Sequence, residues 1–234
     1  MKLKLIALTA VMFLTAVSCG EKKENSYSSK EVSVRSAVDS IDSAGTKGNT
    51  IELPENKAVI EEKFKDVPDA EEGAVVSVSN TTAKAGEIAE VTVSVKGADL
   101  KWNMCGMHLT YPEELKCVYP EDEKTMLEYE KGEAVKYNTG IIVMEWKKED
   151  NPPEELVNKH LGILFFTITF NANDGQDGDM VTLYLKVPED AESGTVYPID
   201  FYYMESDLFR NVENDPSFEK YAFEHTQAGS ITVE

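Results

Sequence analysis

From Ala74 to the last residue the chain falls repeatedly into short runs in which apolar side chains occupy every second position. A period of two is the repeat of a pleated strand, whose successive side chains point to opposite faces, and a helix cannot satisfy it. AVVSVSNTTAKAGEIAEVTVSVKG (74–97) holds two such runs, Val76/Val78 and Ala89/Val91/Val93/Val95, on either side of a turn containing glycine. CGMHLTY (105–111) sets Cys105, Met107, Leu109 and Tyr111 on one side, and GIIVMEWK (140–147) sets Ile142, Met144 and Trp146 on one side. LGILFFTITF (161–170) is almost wholly apolar and suits a strand buried on both faces. MVTLYLKV (180–187), VYPIDFYY (196–203) and GSITV (229–233) complete the series. Strands at this spacing, divided by Pro, Gly, Asn and Asp, predict an all-β, antiparallel sandwich. One helix is expected late, over DPSFEKYAFEH (215–225), with Asp215 as its cap, Pro216 in its first turn, and Phe218, Tyr221 and Ala222 on a common face.

The first 72 residues read differently. Lys2 and Lys4 precede the apolar run LIALTAVMFL (5–14), and TAVSC (15–19) follows it. A basic start, a short apolar core and small residues before a cut describe a secretory signal, too short to span a bilayer. Small residues directly before Cys19, with Gly20 and EKKEN after it, resemble a bacterial lipobox, which implies that Cys19 is lipidated. Residues 20–72 are rich in Ser, Glu, Lys and Asp and keep no period long enough to bury a face. AVIEEKFK (58–65) suits a short helix that little would hold. The expected organisation is a lipoprotein signal over 1–18, a lipidated cysteine with a flexible polar tether over 19–72, and a β-sandwich over 73–234. A tether of about fifty residues reaches ~40 Å from its anchor.

Charge narrows the partners. With 43 acidic against 23 basic residues and a formal net charge of −20, the surface repels phosphate backbones, so no nucleic-acid partner is expected. Contact with the membrane is expected through the N-terminal lipid only. Three cysteines are too few for a disulfide scaffold. Cys105 and Cys117 pair if their strands are adjacent; otherwise Cys105 is a buried free thiol. His108, His160 and His225 show no metal-ligand spacing, and neither a nucleophile motif nor a phosphate-cradling glycine loop is present. The pairs Glu113/Glu114 and Glu154/Glu155 read as solvated surface rather than as a glycosidase pair. In NANDGQDGD (171–179) the oxygen donors Asn171, Asn173, Asp177 and Asp179 alternate, but Gln176 stands where a calcium loop needs glycine and Thr182 where it needs glutamate. A turn is the expected reading. No metal, no cofactor and no catalysis are expected. Trp102, Tyr202 and Tyr203 suit a sugar-stacking platform or, more commonly, a core.

At GMHLTYPEEL (106–115) the chain resembles the third-strand signature of the cellulosomal cohesins. AKAGEIAEVTVSV (83–95) resembles that family's first hairpin, YNTGIIVMEWKKED (137–150) its fifth strand, GILFFTITF (162–170) the next, and AGSITV (228–233) the closing strand. LKVPEDAESGTVYPID (185–200) with SDLFRN (206–211) is similar to the divergent cohesins of gut ruminococci that hold assemblies on the cell surface and carry a helix before the last strand. Two features depart from the pattern. The runs 161–170 and 180–187 compete for one place in the family's nine-stranded jelly roll, and a lipid anchor replaces the family's usual sortase-type attachment. The resemblance implies jelly-roll topology and a non-catalytic receptor on the extracellular face of the cell membrane. Such a receptor binds a dockerin on an enzyme or scaffold protein and so anchors polysaccharide-degrading machinery.

The resemblance also implies a binding sheet that includes 104–110 and 141–147. Alternation then assigns faces. Met104, Gly106, His108 and Thr110 are expected to point outward from the first strand, and Ile141, Val143, Glu145 and Lys147 from the second. Outward Met104, Ile141 and Val143 are costly in water, as a binding patch is; the alternative is that the tether or a loop covers them. A carbohydrate-binding sandwich is the other functional class, and it needs exposed coplanar aromatics that these outward positions lack.

Overall fold

β-Branched residues crowd the alternating runs, and each run becomes a strand. The structure, a computed structural model, describes residues 34–35, 51, 53–54, 56–122, 125–137, 140–146, 160–168 and 172–234. In chain order β1 (Val34–Arg35) and β2 (Leu53–Pro54) pair as a two-residue ladder and α1 spans Lys57–Phe64. Then follow β3 (Val75–Val78), β4 (Asn80–Ala83), β5 (Ile88–Lys96), β6 (Met104–Pro112), β7 (Lys116–Cys117), β8 (Tyr129–Lys131) and a 3-10 turn at Glu133–Val135. β9 (Gly140–Trp146), β10 (His160–Ile168), β11 (Gly178–Lys186), β12 (Val196–Phe201), β13 (Leu208–Arg210), α2 (Pro216–Glu224) and β14 (Gly229–Val233) complete the chain.

Two sheets form the expected jelly-roll sandwich. The large sheet runs β4-β14-β12-β6-β10-β9, with β13 pairing on β6 beyond the end of β12. The small sheet runs β3-β5-β11-β7, with β8 also on β11. The two apolar runs that competed for one place are therefore both strands: β10 lies in the large sheet and β11 in the small one. The first hairpin holds one strand more than expected. At Ser79 the chain leaves the small sheet for the large, and the Ser79 side chain accepts from Thr92 N at 2.9 Å to hold that corner.

The core lies between the sheets, with Val91, Val93, Met107, Leu109, Tyr111, Leu183 and Leu185 almost wholly removed from water. Trp102 stacks on Phe209 at 5.2 Å, and Gly175 is the residue that lets it in, since a Cβ there would meet the indole at 2.1 Å. Trp102, Tyr202 and Tyr203 are all buried, Trp102 in the core and Tyr202 and Tyr203 beneath α1, so none of them presents a sugar platform here. The Gly/Asp-rich loop is the expected turn: Asp177 accepts from the backbone of Gly97 and Ala98 at 2.9 and 2.8 Å. α2 begins as expected, with Asp215 accepting from Ser217 N at 2.9 Å. It buries Phe218, Ala222 and Phe223.

Residues 57–64 correct an expectation. The short helix forms, and it is held. Phe64 is buried against Phe223 at 6.2 Å, Lys63 lies 3.7 Å from Glu219, and Asn56 bonds both backbone groups of Tyr203. Packing therefore starts well upstream of residue 73.

Candidate functional site

β6 lies inside the large sheet, and its inner row is as expected: Cys105, Met107, Leu109 and Tyr111 are buried in the core. Its outer row is also the expected one, but it is covered. Gly106, His108 and Thr110 are buried, and Met104 is half-buried. The cover has two parts. β12 and β13 pair in succession along one edge of β6, and the connection 202–207 between them brings Asp207 onto His108. His108 Nδ1 lies 2.6 Å from Asp207 Oδ1, with the side chains 6% and 2% exposed. The same carboxylate accepts from the backbone of Met204 at 3.0 Å, and Tyr202 N donates to His108 O at 3.0 Å. A buried imidazole and a buried carboxylate are tolerable only when so paired. The second part is the upstream segment. Leu53 is buried, and β2 lies against β6 and β12. α1 roofs a cavity of about 270 Å³ whose floor includes His108, Asp200, Tyr202 and Asp207.

β9 corrects the face assignment. Registers through β10 align Ile141, Val143 and Glu145 with Cys105, Met107 and Leu109 of β6, and align Ile142 and Met144 with Gly106 and His108. Residues level with one another across neighbouring strands share a face. Ile141, Val143 and Glu145 therefore look inward. Val143 is 0% exposed, Ile141 packs against the core, and Ile142 is 41% exposed. The expected phase was off by one residue. Apolar residues at 141–144 and at 146 make both rows hydrophobic, so the alternation carries no phase.

Inward Glu145 is stabilised by a polar cluster. Tyr119 and Tyr111 donate to its two oxygens, and the Tyr111 hydroxyl also lies 2.8 Å from Cys117 Sγ. Burial pushes the Cys117 thiol up to about 12, with the neighbouring Glu145 charge adding to the rise and the Tyr111 hydrogen bond opposing it. Burial also raises Tyr111 and Tyr119, and Glu145 adds to both. Such a thiol is a poor nucleophile. Cys105 and Cys117 are both free, which decides the pairing question.

A family model for the cohesin domain matches residues 74–204. The chain belongs to the cohesin family. Among solved structures it is similar to a type III cohesin module from the cellulosomal ScaE cell-surface anchoring scaffoldin of Ruminococcus flavefaciens, at a TM-score of 0.58 and 22% identity, over 70% of this chain and 89% of that one. It is also similar to the Coh-OlpC-Doc435 cohesin–dockerin complex from Clostridium thermocellum, at a TM-score of 0.51 and 15% identity, over 72% of this chain and 97% of that one. At these identities the likeness is one of fold. No curated protein matches the chain.

The large sheet of this cohesin thus has one covered and one open side. On the open side Ile142 and half-buried Met144 stand at the outer face of β9. Sequence reasoning placed them inward, and no signal within the strand separates the two rows. It also missed Asp207, Leu53 and Asn56, whose partners lie far away along the chain. Lys147 and Cys19 lie outside the described residues. Among the described residues no three His, Cys, Asp or Glu side chains gather as a metal site. His225 stacks on Tyr221 at 3.8 Å at the end of α2.

Proposed function

We propose that this cohesin is a dockerin receptor, held at the outer face of the cell membrane by a lipid on Cys19, and that its partner docks on the open side of the large sheet around Ile142 and Met144. The observation that carries the docking face is Ile142, 41% exposed in the middle of a strand of the large sheet. Burying a large aliphatic side chain in full is worth about 1.5–3 kcal/mol, so covering the exposed two-fifths of Ile142 returns about 1 kcal/mol to a partner. The neighbouring structures support the partner class: one holds a cohesin with a dockerin, and another comes from a cell-surface anchoring scaffoldin. Cohesins are binding modules, and this reading assigns the chain no catalysis.

The docking residues named from the sequence change accordingly. Gly106, His108 and Thr110 are covered, and Ile141, Val143 and Glu145 look inward, so none of the six stands free to touch a partner. Met104 and Lys147 stay as candidate rim contacts. Of the aromatics that a carbohydrate-binding sandwich would use, Trp102 lies in the core and Tyr202 and Tyr203 are buried beneath α1, which leaves that alternative without an exposed platform.

The test is calorimetric titration of the chain with a panel of purified dockerins, including those of the neighbouring complexes. One or more should bind, and Ile142→Asp should weaken that binding by about tenfold or more, as expected of a central interface residue, with the melting temperature kept. A panel without a binder sinks the receptor reading, and equal binding by Ile142→Asp and Met144→Asp sinks the face. For the anchor, Cys19→Ala should release the protein from the membrane fraction; retention there would overturn the lipid assignment.

A further inference from the structure

The covered and open parts of the large sheet are one surface. Gly106 and His108 stand level with Ile142 and Met144 across β10, so all four positions belong to the same outer row. What separates them is residues 51–67 of the chain itself, together with the connection 202–207. We propose that residues 51–67 are a displaceable cover: seated, they occupy the β6–β12 half of the docking sheet; lifted, they open that half to the partner. Only this consequence rests on the dockerin reading. The seated segment is independent of it.

Four observations favour displacement. Among the described residues the holds lie along one short segment: Leu53 against β6 and β12, Asn56 on the Tyr203 backbone, Lys63 beside Glu219 and over the Tyr203 ring, Phe64 on Phe223, Ile51, Ile60 and Val67 against the core, and Lys220 donating to Val67 O and to Asp69. α1 has only eight residues, and no side chain caps its start, because Asn56 is turned onto Tyr203 instead. A helix that short does not persist alone in water, so the segment is ordered while seated and leaves as a unit. The seat is not sealed: a cleft of about 270 Å³, partly open to solvent, lies between α1 and its floor. The outer row also contains the Thr110 hydroxyl, fully buried and without a hydrogen-bond partner, which water would satisfy once the face opens. The Asp207 bonds to His108 and Met204 lie outside the segment and hold the floor when it lifts. Both helices, α1 and α2, lie outside the residues matched by the family model.

The experiment uses the full chain, wild type and with Leu53→Asp or Asn56→Ala. It reads hydrogen exchange by segment and the association rate of the dockerin selected by the panel above. In the wild type, residues 51–67 should exchange together and about tenfold or more faster than β5 and β11. Leu53→Asp should speed 51–67 by about tenfold again, leave β5 and β11 unchanged and raise the association rate about threefold or more. Asn56→Ala should act in the same direction and less. The proposal is overturned if 51–67 exchange as slowly as β5 and β11, or if Asn56→Ala leaves their exchange unchanged. It is equally overturned if the segment opens while association is unchanged or slower, because the cover would then lie outside the footprint or form a fixed wall of it. Fast exchange of 51–67 with no dockerin bound by any variant supports the mobile segment and sinks the receptor reading instead.

Discussion

β6 and β9 lie on either side of β10 in the same sheet, and both are rich in apolar residues, yet they behave in opposite ways. In β6 the alternation assigns the rows correctly, and the outer row is nevertheless out of reach. In β9 the assignment is inverted, and the outer row is in water. The difference lies in where each strand places its polar groups. β6 keeps His108 and Thr110 in the outer row and only apolar or aromatic residues in the inner one. The sole charge of β9, Glu145, sits in the inner row, where Tyr111 and Tyr119 receive it. A polar residue marks the solvent face only when nothing inside the fold can pair with it.

The sharpest way to break this comparison is to place a charge on each row of β9. Val143→Asp buries an unpaired carboxylate in the core and should cost ~4 kcal/mol or more, enough to abolish the folded state or to lower its melting temperature by many degrees. Ile142→Asp, one residue away, should stay within ~1 kcal/mol of the wild type. Thermal melts of the two variants check the phase directly. Similar losses would mean that both rows are buried; a larger loss for Ile142→Asp would restore the phase expected from alternation.

The same contrast explains what the sequence made legible. Strands, their order along the chain and the capped helix at 216–224 follow from local rules: period two, and Asp215 before Pro216 with its carboxylate on Ser217 N. The phase of β9 does not, because 141–144 and 146 are apolar on both rows and the register against β10 is a tertiary fact. The cover was hidden for a related reason. The segment 51–67 has the composition of a tether, and its order comes from Tyr203, Glu219, Lys220 and Phe223, which no local pattern announces.

A second effect, smaller than that of Val143→Asp, concerns the covered row. Asp207→Ala removes one partner of His108 and the acceptor of Met204 N. Breaking a buried polar pair from one side is costly, and about 3 kcal/mol of stability should be lost. Chemical denaturation of Asp207→Ala and of the doubly apolar His108→Leu/Asp207→Leu reads it: the double variant should recover part of the loss. Were the single variant as stable as the wild type, the connection 202–207 would not be pinned to β6.

Alkali should then act on the inner face, where Tyr111 of β6 and Glu145 of β9 meet at Cys117. The folded Cys117 thiol is pushed up to about 12 by burial, against ~8.5 for an exposed cysteine. Between these values the unfolded chain gives up a proton that the folded chain keeps. Stability from this group is therefore complete below about pH 8.5 and falls as the pH climbs towards 12, by up to ~1 kcal/mol per pH unit given that Cys117 is only half-buried. Tyr111 and Tyr119, raised in the same sense, steepen the fall at the upper end. Denaturation midpoints at pH 8 and 10 should separate clearly for the wild type and less for Cys117→Ala. Equal separations would show that the thiol titrates normally.

The smallest change should have the opposite sign. Thr110 stands in the covered row, 0% exposed, and its hydroxyl has no hydrogen-bond partner. A polar group in that condition has left water without compensation, so removing it should help. Thr110→Val keeps the shape and the β-branch that a strand favours and deletes only the orphaned hydroxyl. The expected gain is about 1 kcal/mol at most, a rise of a few degrees in the melting temperature. The outer row of β9 supplies the control: Met144→Leu, an apolar exchange at a half-buried position, should leave the melt nearly unchanged. If Thr110→Val loses stability, something does satisfy that hydroxyl, and the face of β6 admits water despite its burial. If it gains, the cover is dry, and the contrast between a sealed β6 and an open β9 holds at the level of a single atom.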